Sequence, residues 1–66
     1  MKSYTAKEIV SILTAHGFEC IRIKGSHHVY ANRETGKRTV VPMHNKDLKK
    51  RILHGILKQA GIDLKD

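Results

Sequence analysis

Two apolar stripes at helical spacing bracket this chain, and they decide what it can fold into. Ala6, Ile9, Val10 and Leu13, with Ile12 at the edge, form the first. Leu48, Ile52, Leu53, Ile56, Leu57 and Ala60 form the second. Thr5-Ala6-Lys7-Glu8 has the form of a capping box, so the first helix is expected from about Ala6 to His16. Gly17 supplies the left-handed residue that stops it, and Phe18 can fold back on its end. Asn45 is a candidate N-cap with Asp47 in the following turn, so the second helix is expected from about Lys46 to Ala60. Gly61 ends it and Ile62 packs back.

Between the stripes the pattern changes to three short strand-like runs. Residues 18–24 form the first, but their alternation is broken. Phe18 and Cys20 share one parity, and Ile21 and Ile23 the other. The parity does not settle which face is buried. Gly25-Ser26 is a turn pair, and 27–32 form the second run. Residues 33–37 make a polar loop, and 38–43 form the third run. Pro42 has no N–H, so that run ends there or lies at an edge. Consecutive strands with short loops pair as an antiparallel meander, and both helical stripes must bury against one of its faces. The expected fold is a two-layer α+β domain, α-β-β-β-α, with a three-stranded antiparallel sheet and its other face open to solvent.

A chain of 66 residues has room for one domain, 1–66, and a thin core. It cannot enclose a large substrate cavity, so any chemistry belongs on an open face or in a shallow groove. The single cysteine, Cys20, allows no internal disulfide and reads as a buried or half-buried strand residue. The first eight residues carry charge where a signal peptide needs an apolar run, and no stretch has the length of a membrane helix. The expected location is the cytoplasm, with no membrane partner.

Charge is concentrated. The net +7 lies wholly within residues 22–51, because Lys2 and Lys7 balance Glu8 and Glu19, and Lys58 and Lys65 balance Asp63 and Asp66. A concentrated positive field points to a polyanion, with nucleic acid first and an acidic protein second. Tyr30 is the aromatic that could stack a base or pack against a helix, and Lys46–Arg51 could contact phosphates.

The candidate chemistry is carried by histidine. His27-His28 follows a glycine turn, opens a strand and comes just after Arg22 and Lys24. Adjacent strand residues point to opposite faces, so one imidazole of the pair looks onto the open face. An imidazole can take and return a proton near neutral pH, and neighbouring cations can stabilise a phosphorane. RNA carries its own nucleophile in the 2′-OH, so this chemistry needs no metal or other cofactor. The rival is a metal set of His27, His28 and His44, but its spacing matches no standard zinc pattern. Glu34 in a loop and Asp47 at a helix start make no carboxylate pair at ligand spacing. His16 reads as a packed histidine or a helix-end cation, and His54 as solvated.

Three elements in order, Lys24-Gly25-Ser26-His27-His28-Val29-Tyr30, then Val41-Pro42-Met43-His44, then Ile56 to Ile62, resemble the HicA toxin family. The resemblance covers nearly the whole chain. It implies an mRNA interferase, an endoribonuclease of a bacterial or archaeal toxin–antitoxin pair, with a fold like a double-stranded-RNA-binding domain. It implies His27 as the catalytic residue, since the family's histidine is that of Gly-Ser-His. On that reading Lys24 and Arg22 contact RNA or the transition state. Gly25 and Ser26 form the turn that presents His27, and the Ser26 hydroxyl can orient substrate. The implied partners are mRNA and a HicB-type antitoxin that covers the active surface. DNA is reached only through the antitoxin complex, which represses its own operon. One departure is Lys50-Arg51-Ile52-Leu53, where the family often has a Gly-Thr-Leu element opening the last helix. The alternative function is a non-catalytic RNA-binding module on the same scaffold.

Overall fold

The computed structural model describes residues 4–43 and 47–63. In chain order the elements are β1 (Tyr4–Thr5), α1 (Ala6–Ala15), β2 (Phe18–Lys24), β3 (His27–Asn32), β4 (Arg38–Pro42), β5 (Asp47–Leu48) and α2 (Lys50–Ala60). β2, β3 and β4 form an antiparallel sheet with β3 in the centre. This is the expected α+β meander. β1 and β5 add a two-stranded antiparallel pair, with Tyr4 opposite Leu48 and Thr5 opposite Asp47.

α1 begins as its sequence dictates. The Thr5 hydroxyl accepts from the Glu8 amide at 3.1 Å, and the Glu8 carboxylate accepts from the Thr5 amide at 2.9 Å. Two amide donors at the helix start are thereby satisfied. At the other end the His16 amide donates to the carbonyls of Ile12 and Leu13. Gly17 then takes φ +88, and a Cβ there would lie 3.3 Å from the Asn32 amide nitrogen. Asn32 fixes this corner. Its buried side chain donates to the His16 carbonyl and accepts from the amides of Glu34 and Thr35.

Both helices cover one sheet face. Ile9 and Leu13 of α1, with Leu53, Ile56, Leu57 and Ala60 of α2, pack over Phe18, Tyr30 and Val41. Thr39, also buried, donates its hydroxyl proton to the Gln59 side-chain carbonyl at 3.0 Å, which ties β4 to the last turn of α2. Gly61 lies against the Lys37 side chain. The last turn of α2 therefore sits at the β3–β4 loop, and its first turn sits at the opposite end of the sheet.

The start of α2 departs from the sequence expectation. Lys50 is its first residue and Lys49 its N-cap, with no side-chain capping bond. Asp47 is not in a first helical turn, because the backbone at Asp47 and Leu48 is extended and paired with β1. Strand pairing and helical dihedrals exclude each other. Leu48 is still buried, but from a strand. The expected N-cap Asn45 and first residue Lys46 lie outside the described residues. The third strand ends at Pro42, one residue short of the expected Met43.

The broken alternation in β2 has a structural cause. Cys20 opposes Tyr30 while Arg22 opposes Val29, so Ile21 is an extra residue in the ladder, a β-bulge. The bulge switches parity along one strand. Phe18 and Cys20 before it and Ile23 after it face the helices. Glu19 before it, and Arg22 and Lys24 after it, face the open side. β2 is an edge strand extending past the helices, so Ile23 stays 62% exposed despite its parity. Cys20 is also exposed, not buried or half-buried, because the helical layer does not cover it. Ile52, expected in the apolar stripe, is exposed; the buried stripe is narrower.

Candidate functional site

The site is built on the β2–β3 hairpin. Gly25 and Ser26 join the strands, with Gly25 at φ +59, a conformation open to glycine at no steric cost. This two-residue turn sets Lys24 directly opposite His27. Directly opposed residues hold their Cβ atoms about 5 Å apart, and diagonal neighbours about 7–8 Å apart. Arg22, opposite Val29, is the diagonal neighbour of His27 on the same face. The open face thus brings Arg22, Lys24 and His27 together at one end. The bulge is what allows it: a regular β2 would put Arg22 and Lys24 on the side of Phe18.

The turn is anchored across the sheet. The Met43 amide donates to the Ser26 carbonyl at 2.7 Å, and Pro42 opposes His27 at the end of β4. Ser26 is half-buried, and His27 is exposed on the solvent side. His28 turns the other way, half-buried between Ile23 and Val41 of the helix-side ladder. The two histidines are split between the faces. Val29, Val40 and Pro42 continue the open face beside His27 as an apolar floor, with Val40 41% exposed.

At the far end of the same face the charge changes. Glu19 opposes Ala31, and its carboxylate meets the Arg33 guanidinium at 2.7 Å. Both partners are exposed, so the pair contributes little to stability. It does neutralise the one acid in β2, leaving the His27 end of the strand with only cations.

Tyr30 is not available to stack a base. It is buried against the helices, and burial, with Cys20 adding to it, pushes its phenol above the ordinary tyrosine range. Among the described residues the imidazole of His27 is therefore the ring on the open face. His16 caps the end of α1 as an exposed residue, with Nδ1 2.8 Å from the Ile12 carbonyl. His44 lies outside the described residues, and among those described no three His, Cys, Asp or Glu side chains form a metal-ligating group. No described helix is long and apolar enough to cross a membrane.

Two features escaped the sequence reading. The bulge at Ile21 had a signal, the clash of parities between Cys20 and Ile23. The other is a shallow groove of about 380 Å³ on α2, lined by Lys50, Arg51 and His54. The sequence showed these residues on the polar side of a helix, but not that they form one depression.

Residues 6–62 match the family described as the HicA toxin of bacterial toxin–antitoxin systems. No curated protein matches the chain. The match spans both helices and the whole sheet, including the hairpin that carries His27, and the chain belongs to the HicA toxin family.

Proposed function

We propose that this HicA-family toxin is an mRNA interferase, a metal-independent endoribonuclease that cuts mRNA with a single catalytic histidine and so halts translation and growth. One observation carries the reading: His27 sits on the open face directly opposite Lys24, with Arg22 on the same face. An open face beside a thin core suits a chain-like substrate that no pocket could enclose. The α-β-β-β-α order also resembles a double-stranded-RNA-binding domain.

In the proposed reaction, His27 takes the proton of the ribose 2′-OH as the 2′-oxygen attacks the adjacent phosphorus. The P–O5′ bond breaks, and His27 returns a proton to the departing 5′-oxygen. The products are a 2′,3′-cyclic phosphate and a 5′-hydroxyl. Lys24 and Arg22 stabilise the extra negative charge on the phosphorane, Lys24 first because it lies directly across from His27. Gly25 and Ser26 hold the turn, and the Ser26 hydroxyl orients the substrate. Every proton and bond is accounted for within the RNA and this chain.

The test is cleavage of an RNA oligonucleotide by purified protein. His27→Ala should lose about 10²–10⁴-fold in rate, the usual worth of a general acid–base group, with an unchanged circular dichroism spectrum. Lys24→Ala should lose roughly 10²-fold, as for one lost oxyanion contact. A 2′-deoxy substitution at the cut site should block the reaction, chelators should not, and end-group analysis should find the cyclic phosphate. Folded His27→Ala with full activity refutes the assignment. Wild-type protein that binds RNA but never cuts it identifies the alternative, a non-catalytic RNA-binding module.

Family membership implies a HicB-type antitoxin as partner. On our reading the antitoxin covers the open face around His27 and blocks access of mRNA. DNA contact belongs to the complex rather than to this chain, and the site of action is the cytoplasm.

A further inference from the structure

α2 carries a second cationic surface, on the layer opposite the open sheet face. Lys50, His54 and Lys58 recur every four residues with Arg51 beside them, so the four share one arc of the helix, and all are exposed. From Lys50 to Lys58 the arc runs about 12 Å along the axis. α2 contains no Asp or Glu, and among the described residues none of the four forms an ion pair with a carboxylate. Lys50, Arg51 and His54 line the shallow groove of about 380 Å³.

The position of this groove gives it meaning. The Thr39–Gln59 bond and the Gly61–Lys37 contact hold the last turn of α2 at the β3–β4 loop. The groove, in the first two turns, is therefore at the other end of the sheet. That is the end where His27 opposes Pro42 and the Met43 amide bonds the Ser26 carbonyl. The Cα trace is only 17 Å across its thinnest dimension. A polymer passing His27 on one layer can reach α2 on the other by turning around that end.

Resting on the reading that the substrate is RNA, we propose that the Lys50–Arg51–His54 groove binds the sugar-phosphate backbone of the RNA flanking the scissile nucleotide. Each described residue that lines it ends in a cation or an imidazole, with the side-chain stems forming the walls, whereas a protein interface centres on large apolar side chains. The cations repeat along an axis, which suits a partner bearing one negative charge per repeat. Among the described residues the groove carries no base-reading aromatic, so it contributes affinity and register rather than sequence preference.

The experiment measures binding of a 2′-O-methyl RNA oligonucleotide, which keeps its phosphates and lacks the nucleophile, across a salt series. Lys50→Gln/Arg51→Gln removes two exposed charges and is checked for folding by circular dichroism; His54→Gln is measured alongside it. Two lost phosphate contacts should flatten the slope of log K against log salt by about 1.4 and weaken binding roughly 10–30-fold near 0.1 M salt. Lys2→Gln/Lys7→Gln removes two charges elsewhere in the chain and should change both far less. Wild-type binding with the groove variant unchanged overturns the inference and leaves the nuclease reading intact. Equal losses in the groove and control variants also overturn it, because total charge rather than the groove would then be at work. RNA binding retained while antitoxin affinity falls overturns it too, and makes the groove a protein contact. A wild-type protein that binds no RNA even at low salt removes this inference together with the reading beneath it.

Discussion

Asn32 shows how much one side chain can hold in a thin molecule. Its three hydrogen bonds join the end of α1 to the β3–β4 loop. Asn32→Ala leaves those backbone groups without their partner, and it should lower unfolding stability by about 2–4 kcal/mol. Urea unfolding reads this as a lower midpoint at constant slope. Tyr30 makes a prediction about pH. Its phenol titrates at higher pH in the folded chain than in the unfolded chain, because burial disfavours the phenolate and Cys20 adds to the effect. Above the unfolded value, about 10, the folded state holds the proton that the unfolded state has lost. This contribution is complete below that pH and disappears as pH rises through the folded value. Tyr30→Phe should therefore flatten the alkaline fall in stability while leaving the neutral range nearly unchanged. Unfolding midpoints of both proteins between about pH 8 and pH 11 check it. At this scale much of the candidate site was legible. Arg22, Lys24 and His27 lie within six consecutive residues, so a short hairpin brings them together by local geometry alone. Whether Tyr30 faced RNA or the core was not legible, because that depends on which sheet face the helices choose.

The two helices form an experiment within one chain. α1 has a hydroxyl cap and a carboxylate in its first turn, both favourable at the positive end of a helix. α2 has neither, and begins with Lys49, Lys50 and Arg51. Thr5→Ala should cost about 1 kcal/mol. Lys49→Asp supplies a side-chain acceptor and removes a cation, so it should stabilise by about 1 kcal/mol. Urea unfolding of the two variants would show midpoints moving in opposite directions. The contrast also explains what could be read in advance. α1 was written locally: cap, stripe and Gly17 are contiguous, and the helix starts at the expected Ala6 and ends at Ala15, one residue short of the expected His16. The start of α2 was decided by β1, more than forty residues earlier in the chain. A two-residue pairing at that separation leaves no periodicity to detect, and the helical spacing of Leu48 disguised a strand residue.

At the scale of the whole molecule, charge and topology act together. The sheet carries cations on its open face, α2 carries them on the opposite layer, and both sets converge at the end where β2 turns into β3. An acidic partner approaching this end is drawn in by a field wider than any single contact. The association rate with a HicB-type antitoxin should fall steeply with ionic strength while dissociation changes less. Stopped-flow mixing across a salt series checks this, and a flat association rate contradicts it. The sequence carried the net charge and its place in the chain, but not the convergence, which needs both helix directions and the sheet register. The bulge at Ile21 has a consequence for insertions and deletions. It is a spare residue in the ladder, and excising it would leave Cys20 opposite Tyr30, Arg22 opposite Val29 and Lys24 opposite His27. Loss of the Ile21 codon should thus give a folded protein that keeps Arg22, Lys24 and His27 on one face. Loss of the Ile23 codon is different: a ladder closed without a bulge keeps Lys24 opposite His27 but turns Arg22 toward the helices, so the face loses one of its two cations. Two in-frame deletions two codons apart would then divide into an allele that keeps both cations beside His27 and a weakened one that keeps only Lys24, which growth assays of the two strains would separate.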